Sequence, residues 1–406
     1  MSTEPGFVVA GGGLAAAKIA EALRDNDFAG PITIVGAEEL LPYERPPLSK
    51  GHLLGKEGLT DFTPLSGDWY REHDVTLRLG TVVERIDRAA KSVALSDGST
   101  VSYAKLALAT GARPRTLPIP GAYAERVHTL RTLADSDTLR EIFGVVERLV
   151  IVGAGWIGLE VAAAARIAGV GVTMLETQPV PLESILGFRM GEVFADLHRD
   201  HGVVLRCGTS VAEIVTADDL ATGVQLSDGE VIAADAVLVA VGAAPNVELA
   251  ADAGLAVGNG VLVDASLATD DPDIVAVGDI AAAEHPLLGA RIRVEHWANA
   301  LNQPAVAAQT MLGRPAVYDR LPYFFTDQYD LGMEYTGYVA PGADATVVVR
   351  GDVGAREFVA FWLDPQRRVR AGMNVNVWDV TDRIKELITT GEPVDPERLE
   401  NTNLPL

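Results

Sequence analysis

Short apolar runs and longer stretches of helical length alternate from the first residues of the chain. Phe7 to Ala10 (FVVA) has the length of a buried strand, Ala17 to Leu23 reads as helix, and Ile32 to Val35 reads as the next strand. This is a strand–helix–strand unit. From His73 to Pro114 the apolar positions instead alternate in short runs broken at Asp97-Gly98, which predicts short strands joined by tight turns and closing on the small-residue turn Ala109-Thr110-Gly111. The opening pattern then returns: a strand from Leu149, a long alanine-rich helix, and a strand over Val172 to Leu175. His201 to Asn246 echoes the earlier strand block nearly element by element, including its L-S-D-G turn and its final A-x-G-A-x-P turn. The chain holds two copies of one α/β design.

Two segments stand outside the duplication. Leu41 to Lys50, LPYERPPLSK, has prolines at 42, 46 and 47, which predict an extended, stiff loop that would hold Arg45, Ser49 and Lys50 in place. A solvated connector fits the same composition. From about Leu321, the aromatic runs YFFTDQYD and EFVAFWL, followed by NVNVWDVTDRIKELI, read as a smaller α+β cap.

Glycines mark the first turn of each copy. Gly11, Gly13 and Ala16 occupy the G-x-G-x-x-[G/A] positions after the first strand, and Gly153, Gly155 and Gly158 occupy them after the strand that begins near Leu149. The first glycine permits a tight turn, the second lets a pyrophosphate approach backbone N–H groups at a helix N-terminus, and the third keeps helix and strand close. Alone, such a run is a weak signal, and a structural turn is the alternative. Glu38 and Glu176 follow at the spacing of about twenty residues expected of an acid that binds an adenosine ribose, and two dinucleotides are therefore expected. A carboxylate at Glu176 repels a 2′-phosphate, and TQPVPLES after it offers no Arg or Lys to receive one, so NADH is expected over NADPH. Downstream, TDDPDIVAVGD is read as a strand ending in Gly278-Asp279, which suits the hydroxyls of a ribityl chain.

Composition narrows the function. The 406 residues, 48% hydrophobic and 22% charged, are ordinary for a globular protein of two or three domains. No apolar run reaches the roughly 18 residues that span a bilayer, and MSTEPG leads straight into a strand, so the expected location is cytoplasmic. A formal charge of −23 argues against nucleic acid and anionic membranes as partners. The single cysteine, Cys207, excludes an intramolecular disulfide and a dithiol relay, and is expected to be a small buried hydrophobe. Seven scattered histidines show no ligand spacing, and no metal site is expected.

With these features in place the chain resembles the two-dinucleotide flavoprotein reductases, in particular the NADH-dependent ferredoxin (redoxin) reductases of bacterial oxygenase systems. The resemblance rests on GGGLAA (11–16), PYERPPLSK (42–50), ATGARPR (109–115), GAGWIGLEVAA (153–163), VGDIA (277–281), VEHWANA (294–300), TDQYD (326–330) and the NVWDV…TNLPL tail, and it covers essentially the whole chain. It implies an α/β fold with two Rossmann-like domains, for FAD (1–115 and 243–320) and for NAD (116–242), plus a C-terminal α+β domain (321–406). FAD would meet Gly13, Ala16, Glu38, Arg45, Lys50, Val83, Arg131, Asp279 and Trp297. NADH would meet Gly153, Gly155, Ile157, Gly158, Glu160, Glu176 and Glu295. The cofactor-binding set further includes Gly11, Leu14, Ala15, Ala109, Thr110, Gly111, Trp156, Gly242, Gly278 and His296. Two departures are visible: Phe324 or Phe325 stands where the family often has Trp, and Val180 where it often has a basic residue.

The resemblance also implies the chemistry. FAD and NADH carry the hydride, and the protein stacks them and excludes competitors. Lys50, Glu160 and Trp297 are the residues expected at the reacting centre, the first two as a buried pair that orients and balances charge, the third as a lid. A core tryptophan is the alternative reading of Trp297. The expected acceptor is a [2Fe–2S] ferredoxin, taking one electron at a time from a monomeric reductase. Arg291 with Arg293, and Arg367, Arg368 and Arg370, form basic clusters that would meet an acidic ferredoxin, although such runs are usually solvated. An NADH oxidase or diaphorase is the alternative, and a sensor resembling apoptosis-inducing factor a more distant one.

Overall fold

The computed structural model describes residues 5–406 and groups them into two compact units. One comprises residues 5–44, Leu59–Arg113 and Ala244–Pro322; the other comprises Arg45–Gly58, Pro114–Ala243 and Tyr323–Leu406.

The first unit is built on the strand Gly6–Ala10, which lies between two parallel neighbours. Phe7 to Ala10 pair with Ile32 to Val35 on one side and with Lys105 to Leu108 on the other. A parallel strand covered on both faces must be apolar throughout, and Val8, Val9, Ala10, Ile32, Ile34, Val35 and Leu106 to Leu108 are all buried. The helix Leu14–Asp25 packs its alanines and Ile19 and Leu23 into this core. Val75–Arg78, expected to belong to the alternating strand block, extends the parallel sheet beside Ile32–Val35 instead. Val83–Asp87 and Ser92–Leu95 form the expected antiparallel meander with Thr100–Leu108, whose nine residues run on into the parallel sheet. Ile274–Ala276 pairs with that strand, and it stops before Gly278-Asp279, which lie in a following 3₁₀ turn.

The second unit repeats the plan. A parallel sheet runs in the order Val204–Arg206, Gly171–Leu175, Arg148–Val152, Ala236–Val239, Val127–His128, with the helix Trp156–Ile167 following its central strand. Here the meander is a separate three-stranded sheet, Val211–Ala217, Leu220–Leu226 and Val231–Ala233. The unit also holds a five-stranded antiparallel sheet, ordered Tyr323–Gln328, Leu331–Gly337, Val369–Val375, Glu357–Leu363, Thr346–Asp352. Ile384 of the helix Thr381–Thr390 packs on it.

Two further local expectations are corrected. Residues 41–50 are not extended throughout: Pro46–Ser49 form a 3₁₀ turn. Prolines at its first two positions lose no hydrogen bond there, because those N–H groups have no partner in any helix. Cys207 is half-buried and not a core residue.

Candidate dinucleotide sites

Gly11 sits at φ +129°, and a Cβ there would lie 2.1 Å from the Ala109 carbonyl oxygen, so only glycine lets the two strand-end turns approach. Its N–H donates to the Val35 carbonyl (2.8 Å). Gly13 differs: it is the N-cap of Leu14–Asp25, no side chain caps the helix, and a Cβ added there would meet nothing within 4 Å. Open space before uncapped N–H groups is what an anionic pyrophosphate requires. Leu14, Ala15 and Ala16 form the buried first turn. Glu38, beyond the second strand, accepts from the Tyr43 hydroxyl (2.6 Å).

The other residues expected around this cradle come from four further places in the first unit. In the turn Ala109-Thr110-Gly111, Thr110 Oγ1 donates to the Asn246 carbonyl (3.0 Å) and Asn246 Nδ2 donates to the Thr110 carbonyl (2.8 Å). The N–H of Gly278 donates to Gln303 Oε1 (2.7 Å), and Ala15 lies 3.6 Å from where a Gly278 Cβ would stand, so the VGDIA turn lies against the first helix. His296 stands at the N-cap position of the helix Trp297–Met311, and burial pulls its pKa down to about 4 against the opposing charge of Asp279. Trp297 Nε1 donates to Glu44 Oε2 (2.8 Å), which anchors the ring; Glu44 lies within PYERPPLSK but was not singled out there. Val83 is buried in the same core. Glu295, expected to contact NADH, belongs to this unit and pairs with Arg293 (2.7 Å).

The second fingerprint is built alike. At Gly153, φ +104°, a Cβ would meet the Ala240 carbonyl oxygen at 2.4 Å; at Gly158 it would meet the Gly153 carbonyl oxygen at 2.2 Å; at Gly155 it would meet nothing within 4 Å. Glu176 closes this cradle, its Oε2 accepting from the Ala154 N–H (2.8 Å) and its Oε1 from the Gln178 N–H (2.9 Å). Ile157 is exposed, while Trp156 packs edge-on to Phe194 and 4.9 Å from the Phe324 ring. Gly242 ends the facing loop at φ +100°. Two uncapped helix starts with open second glycines fit two dinucleotides.

Arg45, Lys50 and Arg131, expected to meet FAD, all lie in the second unit. Arg45 donates to the Arg131 carbonyl. Lys50 Nζ lies 2.7 Å from Glu160 Oε1, with side chains 17% and 4% exposed. So buried a carboxylate needs several donors, and Glu160 has them: Ser49 Oγ reaches Oε2 at 2.5 Å and Thr326 Oγ1 reaches Oε1 at 2.6 Å. The Lys50 ammonium also sits 5.5 Å from the centre of the Phe325 ring. Burial and the Glu160 charge raise the pKa of Asp327, and Lys50 opposes them. The 3₁₀ turn that delivers Ser49 and Lys50 is tied to the helix Leu133–Phe143, for Ser136 Oγ donates to the Leu48 carbonyl (2.7 Å) and His52 Nε2 lies 2.9 Å from Asp137. A capping box of Thr132 and Asp135 starts that helix. Of these supports, Ser49 lay in the proline-rich motif and Thr326 in TDQYD, whereas Ser136 and His52 gave no signal.

The basic clusters are partly neutralised in place: Arg291 pairs with Glu284 (2.6 Å) and Arg368 with Asp364 (2.8 Å), besides the Arg293 pair. Among the described residues no helix is long and apolar enough to cross a membrane.

Residues 6–304 match the family described as pyridine nucleotide-disulphide oxidoreductase. The chain belongs to that family. Residues 323–406 match a second description found with this oxidoreductase core here, the reductase C-terminal domain. Among relatives, the oxidoreductase chain is 41% identical to the ferredoxin–NAD(+) reductase component of the anthranilate 1,2-dioxygenase system of Burkholderia cepacia, covering 100% of this chain and 99% of that protein. It is similar to the putidaredoxin reductase in a covalent complex with putidaredoxin (36% identity, TM-score 0.94, 100% and 97% covered). It is similar also to a ferredoxin reductase from Rhodopseudomonas palustris (34% identity, TM-score 0.93, 98% of each chain covered).

Proposed function

We propose that this oxidoreductase is an FAD-containing reductase that takes a hydride from NADH and passes electrons singly to a [2Fe–2S] ferredoxin feeding an oxygenase, such as a haem-thiolate monooxygenase. The observation that carries this reading is the pair of open, uncapped fingerprint helices in a chain with one half-buried cysteine. Two dinucleotides and no dithiol leave a flavin and a nicotinamide to act without thiol chemistry. FAD, when bound, supplies the conversion of a two-electron donor to one-electron steps.

In this reading the first fingerprint, with Glu38, the 109–111 turn, Gly278-Asp279 and Trp297, holds FAD, and residues 1–115 with 243–320 form its domain. The second fingerprint and Glu176 hold NADH within residues 116–242, and residues 321–406 are a cap. Lys50 and Glu160 form a charge-neutral, hydrogen-bonded pair that orients the reacting rings without acting as acid or base. The protein works as a monomer in the cytoplasm.

The test is steady-state cytochrome c reduction by the purified, FAD-loaded protein with NADH or NADPH, with and without [2Fe–2S] ferredoxins. NADH-driven reduction that depends on ferredoxin is expected. A colourless protein that takes up no FAD ends the reading, and indifference to ferredoxin at every ionic strength ends the partner assignment.

A further inference from the structure

A run of buried polar side chains leads away from Glu160 inside the second unit. Thr326 and Gln328 are two apart on the strand Tyr323–Gln328 and so share a face; each is 1% exposed. His198, on the helix Phe188–Asp200, is 0% exposed. Gln328 Nε2 lies 3.1 Å from Thr326 Oγ1, Gln328 Oε1 lies 2.9 Å from His198 Nε2, and His198 Nδ1 lies 3.4 Å from the Tyr329 hydroxyl, whose ring stacks on His201 at 3.6 Å. No residue from His198 to Gln328 belongs to either fingerprint.

The proton inventory gives this run a direction. An ionised carboxylate only accepts, so Thr326, 2.6 Å away, spends its one hydroxyl proton on Glu160. Thr326 must then accept from Gln328, which fixes the amide with its NH₂ toward Thr326 and its oxygen toward His198. That oxygen needs a donor, so Nε2 of His198 carries the proton and Nδ1 accepts from Tyr329. In the reverse arrangement, with the proton on Nδ1 and the amide turned over, Thr326 would donate to Gln328 and aim a lone pair at the Glu160 carboxylate. Burial keeps His198 neutral, with a pKa pulled to about 4, so either tautomer is chemically open to it and its neighbours decide.

We propose that His198 and Gln328 are positioning residues, a one-way hydrogen-bond relay that holds the Thr326 hydroxyl proton on Glu160 and so fixes the carboxylate for NADH. The proposal rests on the reading of Glu160 as part of the NADH site. Lys50 and Ser49 supply the other donors to Glu160, so the relay governs one of three ties and a graded loss is expected.

Two measurements test it. Long-range ¹H–¹⁵N correlation on ¹⁵N-histidine-labelled holoprotein is expected to show His198 neutral with its proton on Nε2; a proton on Nδ1 overturns the relay. Titration with NAD⁺ is expected to show about three- to tenfold weaker binding for Gln328→Met, no more than about twofold change for Thr326→Ser, and almost no further effect of Gln328→Met in a Thr326→Val background. Wild-type affinity in Gln328→Met, or additive losses in the double variant, overturns the positioning role. If the unmodified holoprotein binds no NAD⁺, the assignment of Glu160 falls, while the tautomer still decides whether the relay exists.

Discussion

The Glu176 carboxylate ties the backbone of Ala154 and Gln178 into the second cradle, and in the proposed reading it would also accept from the adenosine ribose of NADH. Glu176→Ala is expected to lower kcat/KM with NADH by about tenfold and to narrow the preference over NADPH, because the charge that repels a 2′-phosphate is gone. Equal use of both coenzymes by the unmodified protein contradicts this. Lys50 and Glu160 answer to a different balance. Removing one member of a buried pair strands the other at a cost of about 3 kcal/mol or more, whereas removing both leaves no stranded charge. Glu160→Leu is therefore expected to melt at a lower temperature than Lys50→Met/Glu160→Leu, and neither variant should recover wild-type NADH turnover; identical melting of single and double variants refutes the coupling. His198 sets a pH dependence. Its folded pKa of about 4 lies below the ordinary 6.5, so the unfolded chain takes up the proton first as pH falls. Stability is full above about pH 6.5 and declines between there and about pH 4, and His198→Phe should flatten that part of the curve in thermal melts.

At the scale of elements, two glycines of one motif type act for opposite reasons. Gly158 is a packing residue, since a methyl group would strike the Gly153 carbonyl oxygen, so Gly158→Ala is expected to destabilise the second unit by about 1–3 kcal/mol in denaturant unfolding. Gly13 borders open space. Gly13→Ala should fold as the parent does and release FAD more readily, which dialysis followed by absorbance would show; a fold lost with the flavin would contradict the distinction. Both fingerprints and the echo between the two strand blocks were legible because turns and strand alternation are local. The 3₁₀ turn at Pro46–Ser49 was not, since prolines in a row suit an extended chain and a helix start alike. The Lys50–Glu160 pair was reached only through family resemblance, and Gln328 and His198 were not singled out. Their partners stand far off in sequence, 111 residues from Ser49 to Glu160 and 130 from His198 to Gln328, where no periodicity reaches.

The whole molecule carries a formal charge of −23, and its arginines at 291, 293 and 368 are already paired with carboxylates. An acidic ferredoxin would be repelled at long range and attracted only near such a local patch. Screening acts first on the long-range term. Ferredoxin-dependent cytochrome c reduction is therefore expected to rise with added salt, pass through a maximum and fall; a steady rise with no decline would mean that no basic patch takes part.

Each unit is assembled from three separate stretches of chain, and Thr326 follows Glu160 by 166 residues. On a ribosome adding about 5–20 residues each second, Glu160 emerges roughly 10–30 s before the hydroxyl that completes its set of donors. During that interval the nascent second unit holds Glu160 with Lys50 and Ser49 available but without its third donor, and its last sheet is still unmade. A truncated translation product ending before the last sheet should accordingly be a substrate for chaperones and proteases, and not a smaller working enzyme.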